Sequence, residues 1–196
     1  KYMRHGADVV YHDLFYVKKL GQRFNWRRTW RRKLKSPVFY DLIENGNTLI
    51  NSSVVVRKKL LNAIKGLSED KDMVGSEDYD AWIRIAQISD KFQKIPDTLG
   101  FYWAGGGGTT NPSRTLNATQ AIEKKYANTI SDLDAQHSIY WLNYTKGRAY
   151  FCLKDFKNAK KHLSLNRWVR VPLIISLKTC WMLLIISLFH HSKISF

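Results

Sequence analysis

The sequence predicts a mixed α/β fold followed by a run of helices. Between about residues 7 and 112, β-branched apolar runs alternate with helix-period runs, the texture of strands and helices packed in layers. From about residue 113 the β-branched runs stop and helical periodicity takes over. Of the 196 residues, 44% are hydrophobic and 24% charged, which supports a packed core and argues against wholesale disorder.

In chain order, residues 7–17 are β-rich and read as a strand pair or as one strand with a bend. Residues 23–35 carry seven Lys/Arg interleaved with Phe24, Trp26 and Trp30. That mixture suits a membrane interface, an anionic substrate or a solvated connector. Nucleic acid is set aside as a partner, because no RNP, KH or helix-turn-helix pattern accompanies it. Residues 39–43 and 48–56 are apolar, with Asn45-Gly46-Asn47 as the turn between them. Residues 52–56 read as a strand, 57–64 as a short helix ending near Gly66, and 70–75 as a loop. Residues 79–88 read as a helix, with Tyr79, Trp82, Ile83 and Ala86 at i, i+3, i+4 and i+7. Ile95-Pro96-Asp97 leads into a strand at 99–103, and four glycines follow at 105–108.

In the second part, residues 119–133 read as one helix and 138–165 as a helical hairpin. Gly147, Tyr150, Ala159 and Leu163 match helix-packing positions of a tetratricopeptide repeat, although Asn166 stands where a small apolar residue is usual. Only one copy exists, so the hairpin is not a solenoid. Residues 171–189 are mainly Leu and Ile with Lys178 near the middle. A span needs about twenty apolar residues, and a central Lys costs roughly 2.5–3.5 kcal/mol. Flanked by Arg167, Trp168, Arg170, His190, His191 and Lys193, the segment reads as a helix lying in or dipping into an anionic leaflet. A full span and packing against another protein are the alternatives.

The 32 Lys/Arg against 16 Asp/Glu give a net charge of +16, which favours an anionic partner. Eleven of those cations fall in residues 1–36 and eight in 151–196, while the centre is near balance. Cys152 and Cys180 lack CxxC spacing, so they form neither a zinc site nor a disulfide framework and read as buried or lipid-facing thiols. The chain opens on Lys1-Tyr2 with neither Met nor a secretory signal, as though cut from something longer.

The chemistry-bearing candidate is Ser76-Glu77-Asp78-Tyr79-Asp80-Ala81-Trp82-Ile83-Arg84. Acids in a first helical turn interact favourably with the helix dipole by about 0.3–1 kcal/mol each, and Ser76 reads as their N-cap. The same placement keeps a carboxylate ionised and fixes its direction, as a general base requires.

Gly46-Asn47, Ser52-Ser53-Val54-Val55-Val56-Arg57-Lys58, the 76–86 segment, Ile95-Pro96 and Phe101-Tyr102 occur in order and at fitting intervals. Over about residues 7–112 this series resembles the second half of family 2 glycosyltransferases, enzymes of GT-A fold that use nucleotide-diphosphate sugars. Asp8-Val9-Val10-Tyr11-His12-Asp13 is similar to the run that follows the family's metal-binding motif. The resemblance implies that Asp78 is the catalytic base of an inverting transfer, with Glu77, Trp82 and Arg84 on the acceptor-binding side. Asn47 and Ser53 match common family positions, with backbone shaping and ligand contact both open. The resemblance also implies a divalent metal, Mn or Mg, for the full-length enzyme. Its ligands would lie mostly outside this chain, because the family's DxD motif and donor-binding half have no counterpart here. Asp70-Lys71-Asp72 and Asp78-Tyr79-Asp80 match DxD as text but do not follow an apolar strand. Trp103 stands where many relatives have Arg, and the glycines after it suit either a mobile lid or an ordinary hairpin loop.

The expected organisation is an acceptor-side part of a GT-A domain at 1–112, a helical extension with a hairpin at 113–166, and a membrane-associating amphipathic or spanning helix at 167–196. The implied enzyme transfers a sugar to a polysaccharide or glycolipid acceptor, including lipid-linked ones, at the cytoplasmic face of an anionic membrane, peripheral or tail-anchored. The alternative is a non-catalytic truncated remnant that binds membrane or a protein partner.

Overall fold

The computed structural model describes residues 1–19, 21–22, 26–104, 111–134, 139–166 and 171–191, and it divides into two compact units, Lys1–Thr110 and Asn111–Phe196. Among the described residues the fold is mixed α/β, with one three-stranded mixed sheet and eight α-helices.

In the first unit β1 (Val9–Val17) is the central strand, with sheet order β2-β1-β3. Val9, Val10 and Tyr11 are all buried, so both faces of β1 are covered, which explains a continuous apolar run in place of an alternating one. β2 (Val54–Val56) pairs antiparallel with β1, and β3 (Phe92–Trp103) pairs parallel. The β-rich run at 7–17 therefore holds one strand, Val9–Val17, with its register irregular on either side of Asp13. β3 starts earlier than the sequence suggests and runs through Pro96. A strand lacking one N–H is tolerated at a sheet edge, and the register slips in the same stretch.

Three helices complete this unit: α1 (Val38–Asn45), α2 (Lys58–Ala63) and α3 (Glu77–Ala86). α1 buries Val38, Leu42 and Ile43 and stops at Gly46, whose φ of 74° suits a residue without a side chain. The Tyr79 hydroxyl donates to the Leu42 carbonyl at 2.7 Å and ties α3 to α1. The Arg32 guanidinium pairs with the Asp41 carboxylate and donates to the Gly46 carbonyl at 2.8 Å, fixing the chain ahead of α1 against its far end.

The second unit is helical: α4 (Pro112–Lys125), α5 (Ala127–Asp134), α6 (Tyr140–Cys152), α7 (Phe156–Leu165) and α8 (Leu173–His191). The single helix expected at 119–133 is two, because Tyr126 leaves helical geometry at φ −109° and ψ 23° while Ile122, Tyr126 and Ile130 all stay buried across the break. α6 and α7 are joined through residues 153–155, and Asp155 caps α7 by accepting from the Asn158 amide at 3.1 Å. A Cβ at Gly147 would sit 2.7 Å from Leu163 Cγ, so that glycine sets how closely the two helices approach. The Lys146 ammonium reaches across to both Glu123 oxygens at 2.7 and 2.8 Å, joining α6 to α4.

α8 packs Met182 and Ile186 against Ala159 and Leu163 and leaves Leu173, Leu177, Trp181, Leu184 and Leu188 exposed. Among the described residues no helix is long and apolar enough to cross a membrane. Cys152 and Cys180 are both exposed, correcting the buried reading.

Candidate active site

The approach to α3 is a short turn, Lys71–Met73, closed by Asp70 accepting from the Asp72 amide at 3.0 Å. Asp70 and Asp72 thus shape a turn. Gly75 follows with φ 95°, and its amide donates to the Glu77 carboxylate at 2.5 Å. Ser76 stands at the N-cap position, but its hydroxyl donates backward to the Met73 carbonyl at 3.2 Å, correcting the expectation of a side-chain cap on α3.

The three acids of the first turn lie in three different environments. Asp80 is fully buried and bonded to the Arg84 guanidinium at 2.8 Å, a structural pair. Glu77 is half-buried and holds the Gly75 amide. Asp78 is half-buried, with one carboxylate oxygen 2.6 Å from the Tyr79 amide of its own turn. Burial pushes the Asp78 carboxyl up to about 6; the Tyr79 amide opposes that shift and the Glu77 charge adds to it. Asp78 has its proton affinity raised toward the neutral range, as base catalysis needs.

The rest of the expected acceptor side is placed differently. Trp82 is 2% exposed and lies in the core, its indole nitrogen without a hydrogen-bond partner, so it offers an acceptor no ring face. Arg84 binds Asp80, donates to the Ile64 carbonyl and donates to the Gly66 carbonyl at 2.8 Å, anchoring α3 to the end of α2. Both residues move from acceptor contact to scaffold, since Arg84's guanidinium is occupied on three sides. Asn47 accepts from the Leu49 amide at 2.9 Å, and buried Ser53 donates to the Ile50 carbonyl at 2.8 Å; both shape the backbone ahead of β2.

Among the described residues no three His, Cys, Asp or Glu side chains converge as metal ligands. The lid reading of Gly105–Gly108 and the side chains of His190 and His191 lie outside the described residues.

Two arrangements escaped the sequence. Buried Asp13 receives Lys94 at 2.8 Å, the Thr29 hydroxyl at 3.3 Å and the Arg31 amide; burial works against its charge, but these donors outweigh it and hold the carboxyl below its usual value. The second is an aromatic surface that joins residues 15 and 28–30 to residues 101–103 across the sheet. The sequence signalled its pieces, Trp26 and Trp30 among the cations of 23–35 and the alternation of Phe101 and Trp103, but not that the sheet brings them together. No known protein family, curated protein or solved structure significantly matches the chain.

Proposed function

We propose that this chain is the acceptor-side part of a family 2-like inverting glycosyltransferase with a GT-A-like first unit, in which Asp78 is the general base. The observation that carries the reading is the half-buried carboxyl of Asp78 on the first turn of α3, raised to about 6, beside two acids already committed to structural bonds. Its position within the ordered series of family-like segments supports it.

In the proposed step Asp78 accepts the proton of an acceptor hydroxyl. That oxygen attacks the anomeric carbon as the bond from that carbon to the diphosphate breaks, so the configuration inverts and the nucleotide diphosphate leaves. Glu77, beside the base, is the residue proposed to position the acceptor. The donor-binding half and any metal ligands belong to a segment or partner other than the residues described. The exposed apolar side of α8 supports a membrane-associated, lipid-linked or polysaccharide acceptor at an anionic surface.

The test uses a polypeptide that also carries the donor-binding half. Asp78→Asn lowers transfer at least about 100-fold while donor binding and the circular dichroism spectrum are unchanged. Retention of most of the activity removes Asp78 from the role. The second reading, a non-catalytic chain that binds membrane or a protein through its helical unit, is favoured by the same face of α8. It predicts that no donor half restores transfer.

A further inference from the structure

At the carboxyl end of the parallel β1–β3 pair, Phe15 and Phe101 are in register with ring centroids 6.0 Å apart, and Val17 is in register with Trp103. The chain after β1 returns alongside it through a bridge between Phe15 and Arg28. Thr29 pins that return: its amide donates to the Leu14 carbonyl at 2.9 Å and its hydroxyl accepts from the Leu14 amide at 3.0 Å. Arg31 is drawn in as well, with its amide on the Asp13 carboxylate and its guanidinium on the Thr29 carbonyl at 2.8 Å.

With residues 29 and 31 turned inward, Trp30 between them is thrust outward. It is 74% exposed, and its φ of 46° is a left-handed conformation that bulky side chains rarely adopt. The Arg28 guanidinium lies 5.6 Å from the ring centroids of both Phe15 and Trp30. Trp26 is 87% exposed and Phe101 65%. The segment carrying Trp26 and Trp30 is one-signed, since residues 14–40 hold nine Lys/Arg and no acid, while β3 brings the exposed Asp97 ahead of Leu99. Among the described residues Arg28 lies over Phe15 and Trp30 and forms no ion pair, while Arg27 lies over Tyr16 on the opposite face of the strand.

From this juxtaposition of outward-held indoles and acid-free cationic chain, we infer that the surface docks on an anionic lipid bilayer. Trp26, Trp30, Phe101 and Trp103 sit at headgroup level, and Arg28 meets the lipid phosphates. Indole rings favour that depth, where an apolar body leaves water while a polar edge stays wet. A guanidinium stacked on a ring keeps its edge N–H groups free for phosphate. Charge complementarity with anionic lipid supplies the long-range attraction. Leu99, exposed just ahead of Phe101, gains from acyl contact and nothing from stacking bases. The assignment does not depend on Asp78 being a base.

The test is co-sedimentation of the whole chain with phosphatidylcholine vesicles, with and without about one-third phosphatidylglycerol. Binding is expected to need the anionic lipid. Trp26→Ser with Trp30→Ser weakens it about tenfold, and separately Arg28→Gln weakens it about fivefold. Trp30→Gly weakens it likewise while leaving the melting temperature equal or higher, because glycine relieves the positive φ; this separates lost docking from lost fold. α8 is the same in every variant, so affinity that survives belongs to it. A loss below about twofold in both the double tryptophan variant and Arg28→Gln overturns the inference. So does vesicle binding that persists while the variants lose binding to single-stranded DNA or an acidic polysaccharide.

Discussion

Asp78 and Asp80 are two residues apart on α3 and have different partners. Asp80 has Arg84, and Asp78 has a backbone amide and the like charge of Glu77. Raising a carboxyl to about 6 means the folded state holds that proton more tightly than the unfolded chain does. The stability contributed by protonated Asp78 is complete below its ordinary value near 3.8 and is lost as pH rises through about 6. Asp78→Asn, which does not titrate, should therefore gain on the native chain between pH 4 and pH 7. Discounted for partial exposure the gain is about 1 kcal/mol, and urea unfolding at the two pH values measures it. The same carboxyl predicts that kcat/KM of the complete enzyme falls about tenfold per pH unit below its pKa of about 6. Arg84→Met tests the scaffold assignment: it strands the buried Asp80 charge and should cost about 3–5 kcal/mol of stability. A folded, stable variant with weakened acceptor binding would return Arg84 to the acceptor side.

At the scale of elements, the sequence was most legible where a local rule ruled alone. The strand at Val54–Val56 follows from three β-branched residues, and the α3 helix from its i, i+3, i+4, i+7 spacing. It was least legible where distant contacts decided the outcome. β3 runs through Pro96 because β1 supplies a parallel partner on one side only, a fact no local propensity carries. The site shows the same division. An acidic first turn can be read from the sequence, but only the fold shows that Asp80 meets Arg84, that Glu77 holds the Gly75 amide and that Asp78 is desolvated, and burial also moved Trp82 into the core. The α6–α7 hairpin offers a packing test. Gly147→Ala places a methyl 2.7 Å from Leu163 Cγ and should cost about 1–3 kcal/mol by overpacking. Leu163→Ala alone should cost about 2–5 kcal/mol by leaving a cavity. The double variant should cost less than the sum, since the new methyl enters the space the leucine vacated. Additive losses in thermal melts would show that Gly147 and Leu163 do not share that space.

For the whole molecule the governing quantity is the net charge of +16. The buried carboxylates already have cations: Asp13 has Lys94, Asp41 has Arg32 and Asp80 has Arg84. What remains is an excess of positive charge on the surface, dense in residues 14–40, and mutual repulsion there works against the compact state. Salt shortens the reach of surface charges from about 10 Å at 0.1 M to about 3 Å at 1 M and screens buried pairs much less. Added sodium chloride should therefore relieve more repulsion than attraction and raise the melting temperature, by roughly 2–4 °C for each kcal/mol relieved. Sulfate at matched ionic strength separates two causes. An equal rise means screening alone, and a larger rise with sulfate means that anions settle on the basic surface itself. A melting temperature that falls with salt would mean that exposed ion pairs outweigh the repulsion. The uneven charge would then be no burden on the fold, and its concentration around Trp26 to Trp30 would need no anionic partner to offset it.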